Sequence, residues 1–233
     1  MIEFQSVTYG FEGPPVLEDC SLEIDDGEFV LLAGANGSGK TTLLRHCNGL
    51  LSPDSGEVLV DGVSVADDPV AARTATGMVF QHPRDQFVAA TVGSDVAFGP
   101  ENLGLSHAEI DRRVEDSLAT VNLEGRGDER IDTLSGGEQS RVAIAGALAM
   151  DPTHLLLDEP FTGLDEPSRE AVLERLEALS RDGTGVVLAT HDLRDVTRLA
   201  DRIVVMRGGE ILEDGPPSRV VERLDGLDVR APS

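Results

Sequence analysis

The chain has 233 residues, with 43 Asp and Glu against 19 Lys and Arg, a formal net charge of −24. That length suits one domain plus a subdomain, and the strong acidity argues against a surface that binds nucleic-acid phosphates. No apolar run reaches the roughly 20 residues of a membrane-crossing helix, and Met1-Ile2-Glu3 does not open a signal peptide, so any membrane role has to come through a partner.

In chain order, Ile2–Tyr9 and Val16–Ile24 alternate apolar and polar residues, the pattern of half-exposed antiparallel strands, with Gly13-Pro14-Pro15 between them. Tyr9 and Phe11 lie just before that break. An aromatic ring there can stack on a purine or simply pack locally. Next comes the apolar run Phe29–Ala33, then Gly34-Ala35-Asn36-Gly37-Ser38-Gly39-Lys40-Thr41, then Thr42-Leu43-Leu44-Arg45. Strand, glycine-rich turn and helix in that order are the setting of a phosphate-binding loop. The glycines let successive N–H groups turn inward as an anion nest, and the helix start adds its positive end. Lys40 offers a point charge to the β- and γ-phosphates of a nucleotide, and Thr41 offers a hydroxyl to Mg²⁺. Cys20 and Cys47 have no metal or CxxC spacing and read as buried, unpaired thiols of a reducing compartment.

Glu57–Gly62 and Ala75–Gln81 read as further strands. Gln81, at a strand end near the phosphates, can reach Mg²⁺ or an attacking water, or be an ordinary loop residue. From residue 82 the pattern turns helical. Ser106-His107-Ala108-Glu109 looks like a capping box, and Ile110, Val114, Leu118 and Val121 form a core stripe. Leu134-Ser135-Gly136-Gly137-Glu138 then leads into an alanine-rich helix, Val142 to Met150. This is either a second anion site or an N-capped helix with a glycine entry. Thr153–Asp158 suits a central parallel strand. It ends in Asp158 and Glu159, which on strand geometry point to opposite faces, Asp158 toward a Mg²⁺ shell and Glu159 toward the attacking water as general base. Pro167 fits the first position of the next helix. Gly185–Thr190 is another buried strand. His191 follows it, structural or in reach of a γ-phosphate. Arg202–Met206 and Glu210–Leu212 make a closing hairpin, Ser218–Leu224 a short helix, and the last residues read as frayed.

This ordered set resembles the ATP-binding-cassette (ABC) ATPases over almost the whole chain: Walker A at Gly34–Thr41, the Q-loop at Gln81, the signature at Leu134–Glu138, Walker B at Leu155–Asp158 with Glu159 after it, the D-loop at Gly163-Leu164-Asp165 and the switch histidine at His191. The resemblance implies an α/β P-loop NTPase fold with a mainly parallel core sheet and an N-terminal antiparallel part. Residues 1–81 and 151–225 would form the nucleotide-binding core, 82–150 an inserted helical subdomain and 226–233 a tail. It implies ATP and Mg²⁺ as ligands: Gly34, Ala35, Asn36, Gly37, Ser38, Gly39, Lys40, Thr41 and Thr42 around the phosphates, Phe11 (Tyr9 second) on the adenine, Thr41, Gln81 and Asp158 at the metal, and Lys40, Gln81, Glu159 and His191 in hydrolysis. Ser135, Gly136, Gly137 and Glu138 would cover the ATP of a second ATPase subunit, so two subunits meet head to tail as homo- or heterodimer.

Met78–Phe87 with Thr91–Gly104 is similar to the energy-coupling-factor group, whose members power uptake of cobalt, nickel, biotin and other vitamins. That resemblance implies an integral membrane coupling subunit and a substrate-binding membrane subunit, with this chain at the cytoplasmic face of the membrane. The short stretch after the closing hairpin is like the biotin-type ATPases, and Phe161-Thr162 is a small departure without an expected chemical effect. A soluble ABC ATPase acting on nucleic acid or ribosomes is the competing reading. It is weakened by a single cassette, the lack of a long coiled-coil insertion between Gln81 and Leu134, and the acidity. A P-loop kinase would have no use for the signature.

Lys40 is the only lysine; every other base is arginine. A lysine-poor, acidic composition resembles proteins of salt-accumulating cells, where a Debye length of about 3 Å at 1 M salt screens self-repulsion. The expected outcome of dialysis into low salt is loss of the folded circular dichroism spectrum. Undiminished stability there would exclude the halophilic reading.

Overall fold

The period of the apolar residues sorts the strands into two sheets. The computed structural model describes residues 1–227 and 229–231. The first sheet is antiparallel: β1 (Ile2–Tyr9) lies between β2 (Leu17–Ile24) and β4 (Ser55–Val60), with the two-residue β5 (Val63–Ser64) at the edge. Its strands bury one face, with Ile2, Phe4, Leu22, Ile24, Val58 and Val60 inward.

The second sheet takes its strands from the continuous apolar runs, in the order β10–β9–β3–β8–β7–β6. Its members are β3 (Phe29–Ala33), β6 (Thr76–Val79), β7 (His154–Asp158), β8 (Gly185–Thr190), β9 (Arg202–Arg207) and β10 (Glu210–Gly215). All pairs are parallel except the closing hairpin of β9 and β10. Every residue of β3, β7 and β8 is buried, as strands covered on both faces require. Phe29, Leu31, Leu155, Leu157, Val186 and Leu188 face one core. Val30, Leu32, Leu156 and Val187 face the other, which the antiparallel sheet and α1 (Lys40–Cys47) close. Burying each large apolar side chain stabilises by about 1.5–3 kcal/mol.

The first core is roofed by α3 (Val92–Asn102), α4 (His107–Thr120), α5 (Gly136–Leu148) and α6 (Glu166–Arg181). The helix α2 (Pro69–Ala75), not anticipated from the sequence, is started by the Asp68 carboxylate, which accepts from the Ala71 N–H at 2.9 Å, and by Pro69 in the first turn. Other starts also differ from expectation. Ser106 caps α4, but the Glu109 carboxylate turns to Arg112 and Arg113 and does not close a box. The reciprocal box sits at α5, where Ser135 caps a helix that begins at Gly136, the N-capped glycine entry that the sequence offers as one of its two readings, and runs on through the alanine-rich stretch. Asp165 caps α6, placing Pro167 second rather than first. The expected helix after the hairpin is a single turn, α7 (Pro217–Val220), continued as a 3₁₀ turn over Val221–Arg223. The tail is not frayed where it is described: Leu227 and Val229 pack on the core, and Arg230 forms a parallel bridge with Asp192. Asp228, Pro232 and Ser233, part of the same expectation, lie outside the described residues.

At α5 the Ser135 hydroxyl accepts from the Glu138 N–H at 3.3 Å, while the Glu138 carboxylate accepts from the Ser135 N–H and hydroxyl, both at 2.8 Å, and from Arg126 at 2.6 Å. Arg126, then the Ser135 donors, hold the Glu138 carboxyl down at about 2. A carboxyl lowered by folding stabilises above its unfolded range near 4.3 and loses that contribution as pH falls. Glu138→Gln keeps a capping side chain but removes the charge that meets Arg126, so it should lower the melting temperature near neutral pH by about 2–4 °C, the effect of about 1 kcal/mol of lost charge-assisted hydrogen bonding in a domain of this size. The gap should close as pH falls below about 4, in thermal melts across pH. A gap that ignores pH would contradict this account.

Candidate functional site

The cleft forms where β3, β7 and β8 end together. Ala33 pairs with Thr190, and Asp158 pairs with Ala189. From Ala33 the chain enters the Gly34–Gly39 turn. A Cβ on Gly34 would lie 2.4 Å from the Met206 carbonyl oxygen and 2.5 Å from Ser38 Oγ, so only glycine fits. Gly37 and Gly39 take the left-handed region, at φ +81° and +109°. The hairpin turn braces the loop from behind, the Gly209 N–H donating to the Ser38 carbonyl at 3.1 Å. Gly39 starts α1 without a side-chain cap, so the helix start keeps its free N–H groups for an anion. Lys40 is 5% exposed, and its ammonium donates to the Gly34 and Ala35 carbonyls at 2.7 and 3.0 Å. Burial pushes the Lys40 amine down, while Glu159 and Asp158 push it back up. The buried Ser38 hydroxyl has no hydrogen-bond partner among the described residues.

The opposite wall is acidic. The Thr41 hydroxyl donates to Asp158 Oδ1 at 3.1 Å. Burial raises the Asp158 carboxyl above its usual range. Glu159 does not continue the strand. It sits at φ +46°, rare for a side-chain-bearing residue, with its N–H bound to the Ala189 carbonyl at 2.9 Å. The strand alternation expected for the two acids therefore does not hold: the backbone turns after Asp158, and both line one cleft with Asn36, Lys40, Thr41 and Gln81. The Glu159 carboxylate accepts from the Thr190 hydroxyl at 3.1 Å and pairs with His191 Nδ1 at 2.8 Å. Thr190 carries no motif of its own; its only signal in the sequence is a hydroxyl at the strand end next to His191.

Among the described residues no three His, Cys, Asp or Glu side chains form a metal cluster. The hard oxygens of Thr41, Asp158 and Gln81 do fit Mg²⁺, provided phosphate oxygens and water complete its shell. The unpartnered Ser38 hydroxyl and the glycine cradle fit the phosphates themselves.

Other candidates lie elsewhere. Phe11 is exposed and set edge-on to Tyr9 at 5.2 Å; Val16, at the far end of the same loop, borders the cleft in its place. Ser135, Gly136 and Gly137 do not line this cleft. Gly136 and Gly137 lie against the Phe161–Asp165 turn and the start of α6, where a Cβ on Gly137 would lie 2.4 Å from Ser168 Oγ. The Glu138 side chain, expected among the nucleotide contacts, is committed to the α5 cap and Arg126, because that box satisfies backbone donors the helix start would otherwise leave open.

Residues 17–162 match the family described as ABC transporter. A protein of Halobacterium salinarum described as an ABC transporter ATP-binding protein is 59% identical, with both chains covered in full. The energy-coupling factor transporter ATP-binding protein EcfA of Methanothermobacter thermautotrophicus is 42% identical over 94% of this chain and 72% of its own length. Among solved structures, cbiO1 of Clostridium perfringens, part of the ABC transporter complex cbiONQ, superposes with a TM-score of 0.85 at 33% identity, covering 96% of this chain and 94% of that one. With the phosphate loop, the paired acids, the histidine and the serine–glycine helix start on one such scaffold, this chain belongs to the ABC transporter family and is one of its ATP-hydrolysing, ATP-binding cassettes.

Proposed function

We propose that the chain is the ATPase subunit of an energy-coupling-factor importer for a metal ion or a vitamin such as cobalt, nickel or biotin. The observation that carries its chemistry is the Glu159 carboxylate, held by Thr190 and His191 beside Lys40, Thr41 and Asp158. The likeness to EcfA and to a part of cbiONQ supports the importer.

In this reading the loop Gly34–Thr42 binds the phosphates through its N–H groups, and the Lys40 ammonium swings from the Gly34 and Ala35 carbonyls onto the β- and γ-phosphates. Phe11 turns its exposed ring to the adenine. Thr41, Gln81 and Asp158 would hold Mg²⁺, which would supply charge neutralisation to the nucleotide phosphates. Glu159 orients a water in line with the γ-phosphorus and takes its proton as the new O–P bond forms and the bond to ADP breaks. His191 keeps the carboxylate in place and reaches the γ-phosphate.

Ser135, Gly136 and Gly137 belong to a different face from the phosphate cleft, so they serve the nucleotide of a second subunit, in a homo- or heterodimer. Residues 1–81 and 151–225 bind nucleotide, and residues 82–150 dock an integral membrane coupling subunit that works with a substrate-binding membrane subunit. No helix among the described residues is long and apolar enough to cross a membrane; the chain acts at the cytoplasmic face through those partners. The acidic, lysine-poor composition adds a halophilic cell.

Glu159→Gln should lower steady-state ATP turnover by at least about 10²-fold, the scale of a lost general base, and accumulate ATP-bound dimers. Hydrolysis near the parental rate would remove Glu159 from the base role. Lys40→Ala should weaken ATP binding itself, measured by titration calorimetry, and undiminished affinity would remove the ammonium from the phosphates.

A further inference from the structure

We propose that the backbone of Arg230 is a strap that positions His191, making Arg230 a positioning residue for hydrolysis. The proposal rests on the reading of His191 as the partner of Glu159.

The chain leaves the sheet at Thr190, and His191 begins an irregular stretch broken only by a 3₁₀ turn at Thr197–Leu199. The His191 side chain is 37% exposed. Core packing therefore does not fix the ring. One hydrogen bond orients the ring, and a second holds the backbone of the same residue, two positions before the buried Leu193. The ring Nδ1 meets the Glu159 carboxylate at 2.8 Å, and the His191 backbone carbonyl accepts from the Arg230 N–H at 2.9 Å. The Arg230 carbonyl in turn accepts from the Leu193 N–H at 3.0 Å, so Arg230 pairs with both sides of Asp192 as one rung of a parallel ladder. This rung is anchored: Leu227 and Val229 pack on the core that holds β7 and β8, and the Leu227 N–H donates to the Leu224 carbonyl at 3.0 Å.

The Arg230 side chain contributes little to this. Its guanidinium is 65% exposed and 3.5 Å from an Asp192 carboxylate already paired with Arg194. A guanidinium that exposed, at that distance from a carboxylate it shares, adds little. The strap is a main-chain device, which gives it a selective test. Arg230→Pro deletes the N–H while keeping an extended backbone, whereas Arg230→Ala keeps the N–H and deletes only the guanidinium.

In the full-length parent, the Arg230 and Leu193 amides should exchange hydrogen as slowly as those of β8; rapid exchange would overturn the strap without any variant. In ¹⁵N-histidine-labelled protein the His191 ring signal should move in Arg230→Pro and stay in Arg230→Ala. Arg230→Pro should lose about tenfold in kcat for ATP with KM within about twofold of the parent, because the phosphate loop is untouched; Arg230→Ala should retain at least about half the parental kcat. Equal losses in the two variants would overturn the proposal, as would a kcat loss accompanied by a matching rise in KM. A displaced ring with parental turnover would instead overturn the reading of His191 on which the strap's function rests.

Discussion

The register of three fully buried parallel strands is the constraint from which the site follows. Pairing Ala33 with Thr190 and Asp158 with Ala189 fixes where the chain leaves the sheet at three neighbouring points. A slip of one residue in any of them would turn its buried side chains to the opposite core, so the register is held by the burial of Leu31, Leu156, Val187 and their neighbours. The glycine turn, the two acids and the histidine begin where those strands stop. Their relative positions are set by packing several residues away from the chemistry.

That placement is costly to the fold. A carboxylate at Asp158 and an ammonium at Lys40 are both largely removed from water, and each is shifted toward its neutral form by burial. The Ser38 hydroxyl is buried without a partner among the described residues, and Glu159 carries a left-handed backbone. Groups of this kind cluster where a ligand completes them. The Glu159 N–H bound to the Ala189 carbonyl offsets part of the backbone cost, and it ties the turn after β7 to the strand that leads to His191.

Much of this was legible in the residues. Continuous apolar runs announce strands buried on both faces, and a glycine-rich turn between strand and helix announces an anion cradle; Phe29–Thr41 obeys both rules. What the sequence hid is of a different nature. The turn at Glu159 defeats the two-residue period because a single φ value redirects the chain. The role of Thr190 depends on a neighbour 31 positions away. Glu138 reads equally as a nucleotide contact or a cap until Arg126 is seen beside it. Helix α2 gives little signal although Asp68-Pro69 is an ordinary start, because its seven residues are too few to show a helical period.

The solitary lysine has a last consequence. A reagent that acylates ε-amines has a single side-chain target on this molecule, and that target is shut in, hydrogen-bonded to two carbonyls and 5% exposed. Covalent tagging at that one amine therefore reports opening of the glycine turn and nothing else on the side-chain surface, a built-in probe that a lysine-rich cassette would drown in background.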